Sequence, residues 1–399
     1  MKRVNNLYDE IVDLKKIQRI YNRRVRINTK NKAKLERFEN NYVSNMVYIK
    51  QILEKRQYNP GRYNLFIIRE PKIRLIMSQN IIDKLVNHVV SEYFLVNVFS
   101  NQLIEENIAT RKDKGTHYGI KLLKKYLNEI KEEEFYVLKF DISKYFFNLD
   151  HEIIKKLVRR KIKDKEVIEI LDKIIDSTDE EYVNKIIQKL KNNEIKNIKN
   201  SEIINKEEKI KEIEKLPTYK KGKGLPIGNM SSQFFAILYL NELDHFVKEK
   251  LKIKYYIRYM DDGIILHKDK QYLQECLKEI TKIIEKYKLK LNDKTMIVNA
   301  KQGFEFLGFK YNIKNNKIIM KVKNQTKKKF KRKMKKLSKL YNEEKISYND
   351  FFQVKSSYLG HLSYGNTKKL VRINLNKFEK PKELTAQSVL IVDKEIVYR

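Results

Sequence analysis

The chain has 399 residues, which is enough to bury a sizeable core in one large domain or in roughly two to three smaller ones. Lysine and arginine number 87 against 51 acidic residues, and the net charge of +36 is spread along the whole chain, so nucleic acid is favoured over a membrane as partner, although an AT-rich genome also produces a lysine-rich composition. The single cysteine, Cys276, excludes a disulfide framework and a cysteine zinc site, and the lack of an apolar run near about 18 residues or of a signal peptide argues against membrane insertion or secretion.

Residues 1–60 follow a helical pattern and are strongly basic, with aromatic residues interleaved. We expect this extension to grip a duplex or a structured RNA through its phosphates. A solvated helical face with a few buried aromatics shows the same pattern, and the residues alone leave both interpretations open. Pro60-Gly61 then interrupts the chain before the first predicted strand.

Residues 62–77 are predicted to form a β-hairpin with its turn at Glu70-Pro71. Lys72 and Arg74 alternate on one face of the second strand, so both side chains can reach one anion, and the forked donors of arginine suit that contact. Alternating basic residues are also ordinary on an exposed strand. Residues 79–106 follow with the apolar spacing of a helix.

The next apolar strand, residues 135–140, ends in the carboxylate of Asp141. Farther along, residues 184–215 are almost entirely Lys, Asn, Ile and Glu, and their spacing predicts exposed amphipathic helices in a peripheral insertion. Contact with RNA or with a partner is the functional alternative to a solvated surface there. Residues 222–233 form a glycine-rich segment that leads into a helix, and glycines allow close approach of the backbone to a base or a sugar.

A pair of adjacent acids, Asp261 and Asp262, stands between two apolar, aromatic-rich runs, which predicts a β-hairpin with the acids at its tip. We expect Gly263 to permit the sharp turn. A bare Asp-Asp-Gly turn is most often solvated surface, but here a third acid, Asp141, also ends an apolar strand. Carboxylates forced together repel unless a cation is bound, and their hard oxygens suit Mg²⁺. Three such acids can hold two Mg²⁺ ions about 3.5–4 Å apart, the arrangement used for in-line phosphoryl transfer.

These motifs resemble those of the reverse transcriptase family. Asp141 matches the first catalytic motif of that family, and Tyr259-Met260-Asp261-Asp262 matches its Tyr-x-Asp-Asp motif. The resemblance covers roughly residues 60–370 and implies an α+β, right-hand polymerase fold with fingers, an antiparallel palm sheet and a helical thumb. The implied domains are a basic helical extension (1–60), interleaved fingers and palm (61–320, with a charged insertion near 180–220) and a helical thumb with a C-terminal tail (321–399).

The resemblance also implies the chemistry, RNA-directed DNA synthesis in which a primer 3′-hydroxyl attacks the α-phosphate. Its metal set comprises Asp141, Ile142, Asp261 and Asp262, which would hold two Mg²⁺ ions, with Mn²⁺ as a possible substitute. Lys294, in a stretch like the fourth family motif, is the candidate general acid for the departing pyrophosphate, although a surface lysine is nearly as good an interpretation.

Further contacts with the nucleotide follow from the same resemblance. Lys72 and Arg74 are expected to bind the incoming triphosphate. Phe146 occupies the position of the steric gate, where an aromatic ring leaves no room for a 2′-hydroxyl and deoxynucleotides are preferred; a phenylalanine of the core is the alternative.

The glycine-rich segment matches the second palm motif but departs from it twice, because Ile227 replaces a glutamine and Gln233 replaces a proline. With Gly228 between them, this variant resembles the reverse transcriptases of diversity-generating retroelements, in which an apolar residue at the position of Ile227 accompanies poor fidelity opposite template adenine. We therefore expect a low-fidelity enzyme of the bacterial cytoplasm that uses dNTPs to copy a structured noncoding RNA into cDNA, with a small accessory protein.

Two alternatives stay open. The first is an antiphage, defence-associated reverse transcriptase that uses a noncoding RNA or makes untemplated product. The second and more remote is a non-catalytic RNA-binding protein, which the intact acids and Phe146 disfavour.

Three more stretches resemble family motifs. Residues 108–117 are similar to an Arg-x-Gly-x-Gly-Thr stretch whose basic residues are expected to face template or primer phosphates, with Asp113 where a glycine is often found. Residues 303–309 match the primer-grip hairpin, and residues 321–339 predict an amphipathic helix whose cationic face tracks duplex phosphates as part of the thumb.

Overall fold

The computed structural model describes residues 3–69, 72–202, 205–367 and 369–372, and the chain divides into two compact units. Unit 1 comprises Met1–Leu123 and Tyr136–Ile297, and unit 2 comprises Lys124–Phe135 and Val298–Arg399. No helix in the described ranges combines the length and the apolar character that crossing a membrane requires. Because Glu70, Pro71 and residues 373–399 lie outside the described ranges, the predicted turn of the first hairpin and most of the predicted C-terminal tail stay predictions.

The elements that begin in unit 1 are, in chain order, α1 (Asp9–Val12), α2 (Leu14–Ile20), α3 (Lys32–Glu39), α4 (Tyr42–Glu54), β1 (Asn64–Ile68), β2 (Arg74–Ser78), α5 (Ile81–Val90), α6 (Asn97–Phe99), α7 (Thr116–Ile130), β3 (Tyr136–Asp141), α8 (Tyr145–Asn148), α9 (His151–Arg159), α10 (Lys165–Ile175), α11 (Glu181–Lys199), α12 (Lys206–Glu214), α13 (Met230–Tyr239), α14 (Asn241–His245), β4 (Tyr255–Tyr259), β5 (Asp262–His267), α15 (Lys270–Lys286) and β6 (Met296–Asn299). Wider π-helical turns at Tyr21–Arg26, Ser91–Val96 and Phe246–Lys250 continue α2, α5 and α14.

The N-terminal helices confirm the helical pattern of residues 1–60. Polar side chains cap two of these helices: the Asp13 carboxylate accepts from the backbone N–H of Lys15 at the start of α2, and the Asn31 side chain accepts from that of Lys34 at the start of α3. Their apolar side chains, including Ile17 and Ile20, are buried in the same core as α5. The basic residues of this segment therefore lie on helices that form part of the core of unit 1.

The central sheet of unit 1 has the strand order β4-β5-β3-β6, with antiparallel pairing of β4 to β5 and of β5 to β3. Its inner strands are nearly continuous apolar runs, and Leu138, Phe140 and Ile265 are completely buried. Helices α9, α13 and α15 bury their apolar faces in the same core. The predicted strand before Asp141 and the predicted acid-tipped hairpin are both confirmed.

Helices α11 and α12 form the segment that was predicted as amphipathic helices, and one face of α11 packs against the β1–β2 hairpin. Val183 and Ile187 of α11 are buried in one cluster with Leu65 and Met77 of the β1–β2 hairpin. Spacing of these apolar residues by one helical turn gives α11 a stripe that must be covered, and the hairpin covers it. A surface ion pair of 2.6 Å between Arg69 and Glu194 adds a polar contact. Helix α11 therefore supports the hairpin, and contact of this segment with RNA or with a partner stays a prediction.

Unit 2 contains a three-stranded antiparallel sheet, β7 (Phe304–Phe306), β8 (Phe309–Lys314) and β9 (Lys317–Val322), followed by α16 (Asn324–Asn342) and α17 (Tyr348–Ser363). Phe330, Met334 and Leu337 of α16 are buried at helical spacing, and the ring of Phe330 lies 5.5 Å from that of Tyr358 on α17. The predicted amphipathic helix is confirmed, but it begins at Asn324, since Lys321 and Val322 belong to β9.

Candidate active site

The turn between β4 and β5 brings the acid pair to the end of the sheet. Tyr259 pairs directly with Asp262, so Met260 and Asp261 form a two-residue turn. Met260 takes the left-handed conformation, with φ of 57°, that such tight hairpins require at their first central position.

The predicted role of Gly263 as the turn residue was wrong. Gly263 lies inside β5, opposite Phe140 on one side and Arg258 on the other. A Cβ added there would lie 2.6 Å from ring carbon Cε2 of Phe140 and closer still to Cζ. A residue with a Cβ would therefore clash at this position, because the buried ring of Phe140 lies against the backbone of β5 there.

The three predicted acids converge. Asp141 and Asp262 are direct partners in the antiparallel pairing of β3 and β5, which places their Cα atoms about 4.5–5.5 Å apart. Asp261 follows in the turn, and its pKa is raised to about 7 by burial first and then by the neighbouring carboxylates of Asp141 and Asp262. A hydrogen bond with Asp141 contributes to the same shift. Without a cation, this site therefore holds a proton close to neutral pH.

The chemistry of the donors fits a hard divalent cation. All three acids offer carboxylate oxygens, and a bound cation relieves the repulsion that raises the pKa of Asp261. The side chain of Ile142 is a buried hydrocarbon without a donor atom, so its backbone carbonyl is the only group that this residue can offer a metal. Lys139 places its Nζ 3.5 Å from Oδ1 of Asp262, where its charge partly offsets the acidic cluster.

Asn292 is a site residue that the sequence reasoning missed. Its Nδ2 donates to Oδ2 of Asp141 at 2.5 Å, and its backbone N–H donates to the Asp141 carbonyl at 2.9 Å. These two bonds fix the orientation of the first acid. Lys294, whose backbone N–H donates to Oδ1 of Asn292 at 2.9 Å, is thereby held near the site with its side chain exposed.

The glycine-rich segment is fastened to the strand that carries Arg74. The carbonyl of Ile227 accepts from the Met77 N–H of β2 at 3.1 Å. Gly228 has φ of 132°, and a Cβ there would come within 3.1 Å of the Met77 carbonyl oxygen. Ile227 and Gly228 therefore lie beside Met77, near the end of β2, whereas Arg74 begins that strand and the exposed side chain of Lys72 lies just before it.

Phe146 and Gln233 lie on the helices α8 and α13. Phe146 is half-buried on α8, its carbonyl accepts from the Leu225 N–H at 2.8 Å, and its ring packs against Tyr145 at 5.9 Å. Gln233 is half-buried in the first turn of α13, and its backbone N–H donates to the carbonyl of Asn229. The backbone bond to Leu225 joins Phe146 to the glycine-rich segment.

A cluster of His151, Asp176 and Asp179 holds the start of that segment. His151 bonds to the Gly224 carbonyl through Nε2 at 2.7 Å and to Asp176 through Nδ1 at 3.1 Å. Asp179 accepts from the N–H of Gly222 at 2.9 Å. Although these three side chains lie close enough to hold a metal ion, their hydrogen bonds to the loop give them a structural role.

The basic residues of the 108–117 stretch do not all face outward. Arg111 donates from Nη1 to the carbonyls of Ile104 and Asn107 at 2.5 and 2.9 Å. Lys114 forms an ion pair of 2.7 Å with Glu105. Both side chains therefore bond to their own loop, and the predicted phosphate contact stays a prediction.

In unit 1, helices pack on an antiparallel sheet that carries Asp141, Asp261 and Asp262 at one end. A family model described as reverse transcriptase (RNA-dependent DNA polymerase) matches residues 60–311, which is more than half of the chain. The chain therefore belongs to the reverse transcriptase family, and its fold is the right-hand polymerase fold.

Comparison with solved structures finds a similar chain in the apo telomerase of Candida tropicalis, truncated from its C-terminal domain. Identity is 13%, the match covers 69% of this chain and 60% of that chain, and the TM-score is 0.41. The match thus spans about 60% of the length of the telomerase chain. No curated protein sequence matches the chain.

Proposed function

We propose that this protein is an RNA-directed DNA polymerase that extends a primer 3′-hydroxyl. The supporting observation is the convergence of Asp141, Asp261 and Asp262 at one end of the sheet, in a chain whose family is named for this reaction. The raised pKa of Asp261 favours the same conclusion. Burial and the neighbouring carboxylates disfavour its charged form, and a bound cation stabilises that charged form.

In the proposed site, Asp141, Asp261, Asp262 and the carbonyl of Ile142 hold two Mg²⁺ ions, for which Mn²⁺ can substitute. Bound ions of this kind stabilise the charge that develops on the attacking and leaving oxygens of an in-line transfer. Asn292 keeps the Asp141 carboxylate in one orientation through its 2.5 Å hydrogen bond.

The remaining roles concern the nucleotide. Arg74 and Lys72 bind the triphosphate, Lys294 gives a proton to the departing pyrophosphate, and Phe146 excludes a 2′-hydroxyl from the sugar site. The exposure of Arg74, Lys72 and Lys294 is consistent with ligands that arrive from solvent. The backbone bond between Ile227 and Met77 places the second palm motif next to β2, which carries Arg74.

The test is extension of oligo(dT) on poly(rA) with dTTP and Mg²⁺. The Asp261→Ala/Asp262→Ala protein should lose on the order of a thousandfold or more in rate, since metal stabilisation of several kcal/mol is removed. Its matched control is Glu275→Ala/Glu285→Ala, which removes two exposed acids from α15 and should extend normally. Normal extension by the first variant would end the proposal.

We further propose that synthesis is inaccurate opposite template adenine, as in diversity-generating retroelements, and that a structured noncoding RNA with a small accessory protein forms the natural substrate complex. Ile227 supports this, because it cannot offer the amide with which a glutamine braces the nascent pair. Its backbone is fixed by Met77, so a substitution at this position changes the side chain alone.

Sequencing of cDNA copied from a defined RNA tests the fidelity proposal. Ile227→Gln should lower errors opposite adenine by roughly fivefold to tenfold, the effect of one hydrogen bond worth about 1 kcal/mol, and Ile227→Val should keep the wild-type error rate. Errors spread evenly over all template bases would contradict the retroelement assignment. A repetitive or template-independent product would favour the defence-associated alternative.

A further inference from the structure

Arg258 is a completely buried arginine near the end of β4, two residues before the turn that carries Asp261. Its side chain and that of its ion-pair partner Asp244 on α14 are both 0% exposed. A buried charge that lacks a partner is strongly destabilising, so a pair at this depth persists only with a complete set of hydrogen bonds.

That set is present around Asp244. Nε and Nη2 of Arg258 donate to its two carboxylate oxygens at 2.6 Å each, in the forked geometry that only arginine provides. The hydroxyl of Tyr256 and the amide of Asn107 also donate to the carboxylate, at 2.8 and 3.1 Å. Nη2 makes one more bond, to the Ile237 carbonyl at 2.9 Å. The position of the guanidinium is thereby fixed independently of the active-site acids.

The remaining nitrogen, Nη1, donates to the backbone carbonyl of Met260 at 2.7 Å. Met260 is the first turn residue, and its φ of 57° is a left-handed conformation that is strained for a residue other than glycine. The next residue, Asp261, completes the turn beside Asp262, which pairs with Asp141. Backbone strain therefore favours relaxation of the turn, and the bond from Arg258 to the Met260 carbonyl opposes it.

We propose that Arg258, held by Asp244, is a positioning residue that fixes the Met260 carbonyl so that Asp261 meets Asp141 around a divalent cation. Asp244 balances the charge of Arg258, so the contribution to the site is a fixed attachment point for the backbone. Asp244 acts only through Arg258. This proposal rests on the proposed function for its kinetic consequences, but its effect on metal binding is measurable without polymerase activity.

The experiment titrates the full chain with Mn²⁺ and follows the free ion by electron paramagnetic resonance. Arg258→Lys keeps the positive charge, but its single ammonium cannot span both Asp244 oxygens and the Met260 carbonyl. We expect Mn²⁺ affinity to fall by roughly 10–100-fold, the usual effect of removing a group that orients a metal ligand. Tyr256→Phe is the matched control, because it removes a hydrogen bond from the same carboxylate and leaves the Met260 carbonyl untouched.

Kinetics provide the second measurement. In primer extension, Arg258→Lys should need more Mg²⁺ for half-maximal rate and show a lower kcat, with KM for dTTP unchanged, whereas Tyr256→Phe should keep the wild-type Mg²⁺ dependence. A fall in melting temperature without a change in metal dependence, or equal weakening of Mn²⁺ binding in both variants, would overturn the proposal, since either marks a purely structural ion pair.

A folding defect is covered by a second variant. If Arg258→Lys does not fold, Arg258→Lys/Asp244→Glu restores the reach of the buried pair without restoring the link to Met260, and the same Mn²⁺ result is expected. Failure of both to fold, while Tyr256→Phe folds, would overturn the proposal. Wild-type protein that binds Mn²⁺ but extends no primer would contradict the proposed function alone, and wild-type protein that binds no Mn²⁺ would contradict both.

Discussion

Replacing Gly263 with alanine should destabilise unit 1 strongly although only one methyl group is added. Gly263 lies in a central strand, opposite Phe140, and the new Cβ would overlap a ring that is completely buried. Overpacking of a tight core costs typically about 1–3 kcal/mol, and the upper end applies here because neither the ring nor the paired strand has free space to move into. For a unit of about 285 residues, whose unfolding entropy is about 0.6 kcal/mol per K, about 3 kcal/mol lowers the melting temperature by roughly 5 °C.

Thermal unfolding followed by circular dichroism measures this effect. The control is Gly360→Ala on α17, where an added Cβ meets nothing within 4 Å and helix propensity favours alanine. Adding Phe140→Leu to Gly263→Ala should recover part of the loss, because the smaller side chain vacates the space that the methyl group needs. A melting temperature for Gly263→Ala equal to the wild type, or no coupling between the two substitutions, would refute the steric explanation.

Four further results are expected. Asn292→Ala should lower the rate of primer extension by roughly 10–100-fold with little change in dTTP KM, because the Asp141 carboxylate loses its 2.5 Å hydrogen bond; a rate equal to that of the wild type would contradict this. The pKa of Asp261 is raised to about 7, so protons compete with metal below that value, and calorimetry should show Mn²⁺ affinity falling as pH drops from 8 to 6, whereas a pH-independent affinity would count against the shift. Ile187→Ala should lower the melting temperature by an amount equivalent to about 2–5 kcal/mol, since Ile187 is buried against the β1–β2 hairpin, and the exposed Lys189→Ala on the same helix should have little effect. The affinity for RNA should fall by a factor of about 10³–10⁵ between 50 and 200 mM salt if roughly 6–10 phosphates are neutralised. A dissociation constant from filter binding that is the same at both salt concentrations would exclude a cationic binding surface.

Local signals in the sequence predicted the elements that carry the acids. Apolar runs that end in Asp141 and that flank Asp261 and Asp262 were sufficient to predict the strands, because alternation and β-branched or aromatic content are short-range properties. The register of Asp141 with Asp262 follows once β3 and β5 are neighbours. The central features of the site were therefore accessible from the residues alone.

Contacts between distant segments were not accessible. Gly263 was taken as the turn residue because glycine beside two acids is a local turn signal, but the decisive neighbour is Phe140, more than a hundred residues earlier. The bond from Asn292 to Asp141 likewise joins positions 151 residues apart. The spacing of apolar residues predicted that α11 is amphipathic, but it could not show that the β1–β2 hairpin covers the apolar stripe. In each instance, tertiary packing assigned a role that propensity could not.

Two basic residues of the 108–117 stretch, Arg111 and Lys114, also make contacts that the sequence did not predict. In a chain of net charge +36, a basic residue beside a family motif is weak evidence for a phosphate contact. Arg111 satisfies carbonyls of its own loop, and Lys114 pairs with Glu105. Arg258 differs from both, because it is completely buried and its guanidinium bonds to the carboxylate of Asp244.

The central claim is that Asp141, Asp261 and Asp262 meet around a divalent cation. Anomalous diffraction from crystals of the protein soaked in Mn²⁺ tests it most directly. The account predicts a peak bound jointly by Asp141 and Asp261, which disappears in the Asp141→Asn protein. A peak at His151, Asp176 and Asp179 with none between Asp141 and Asp261 would contradict it.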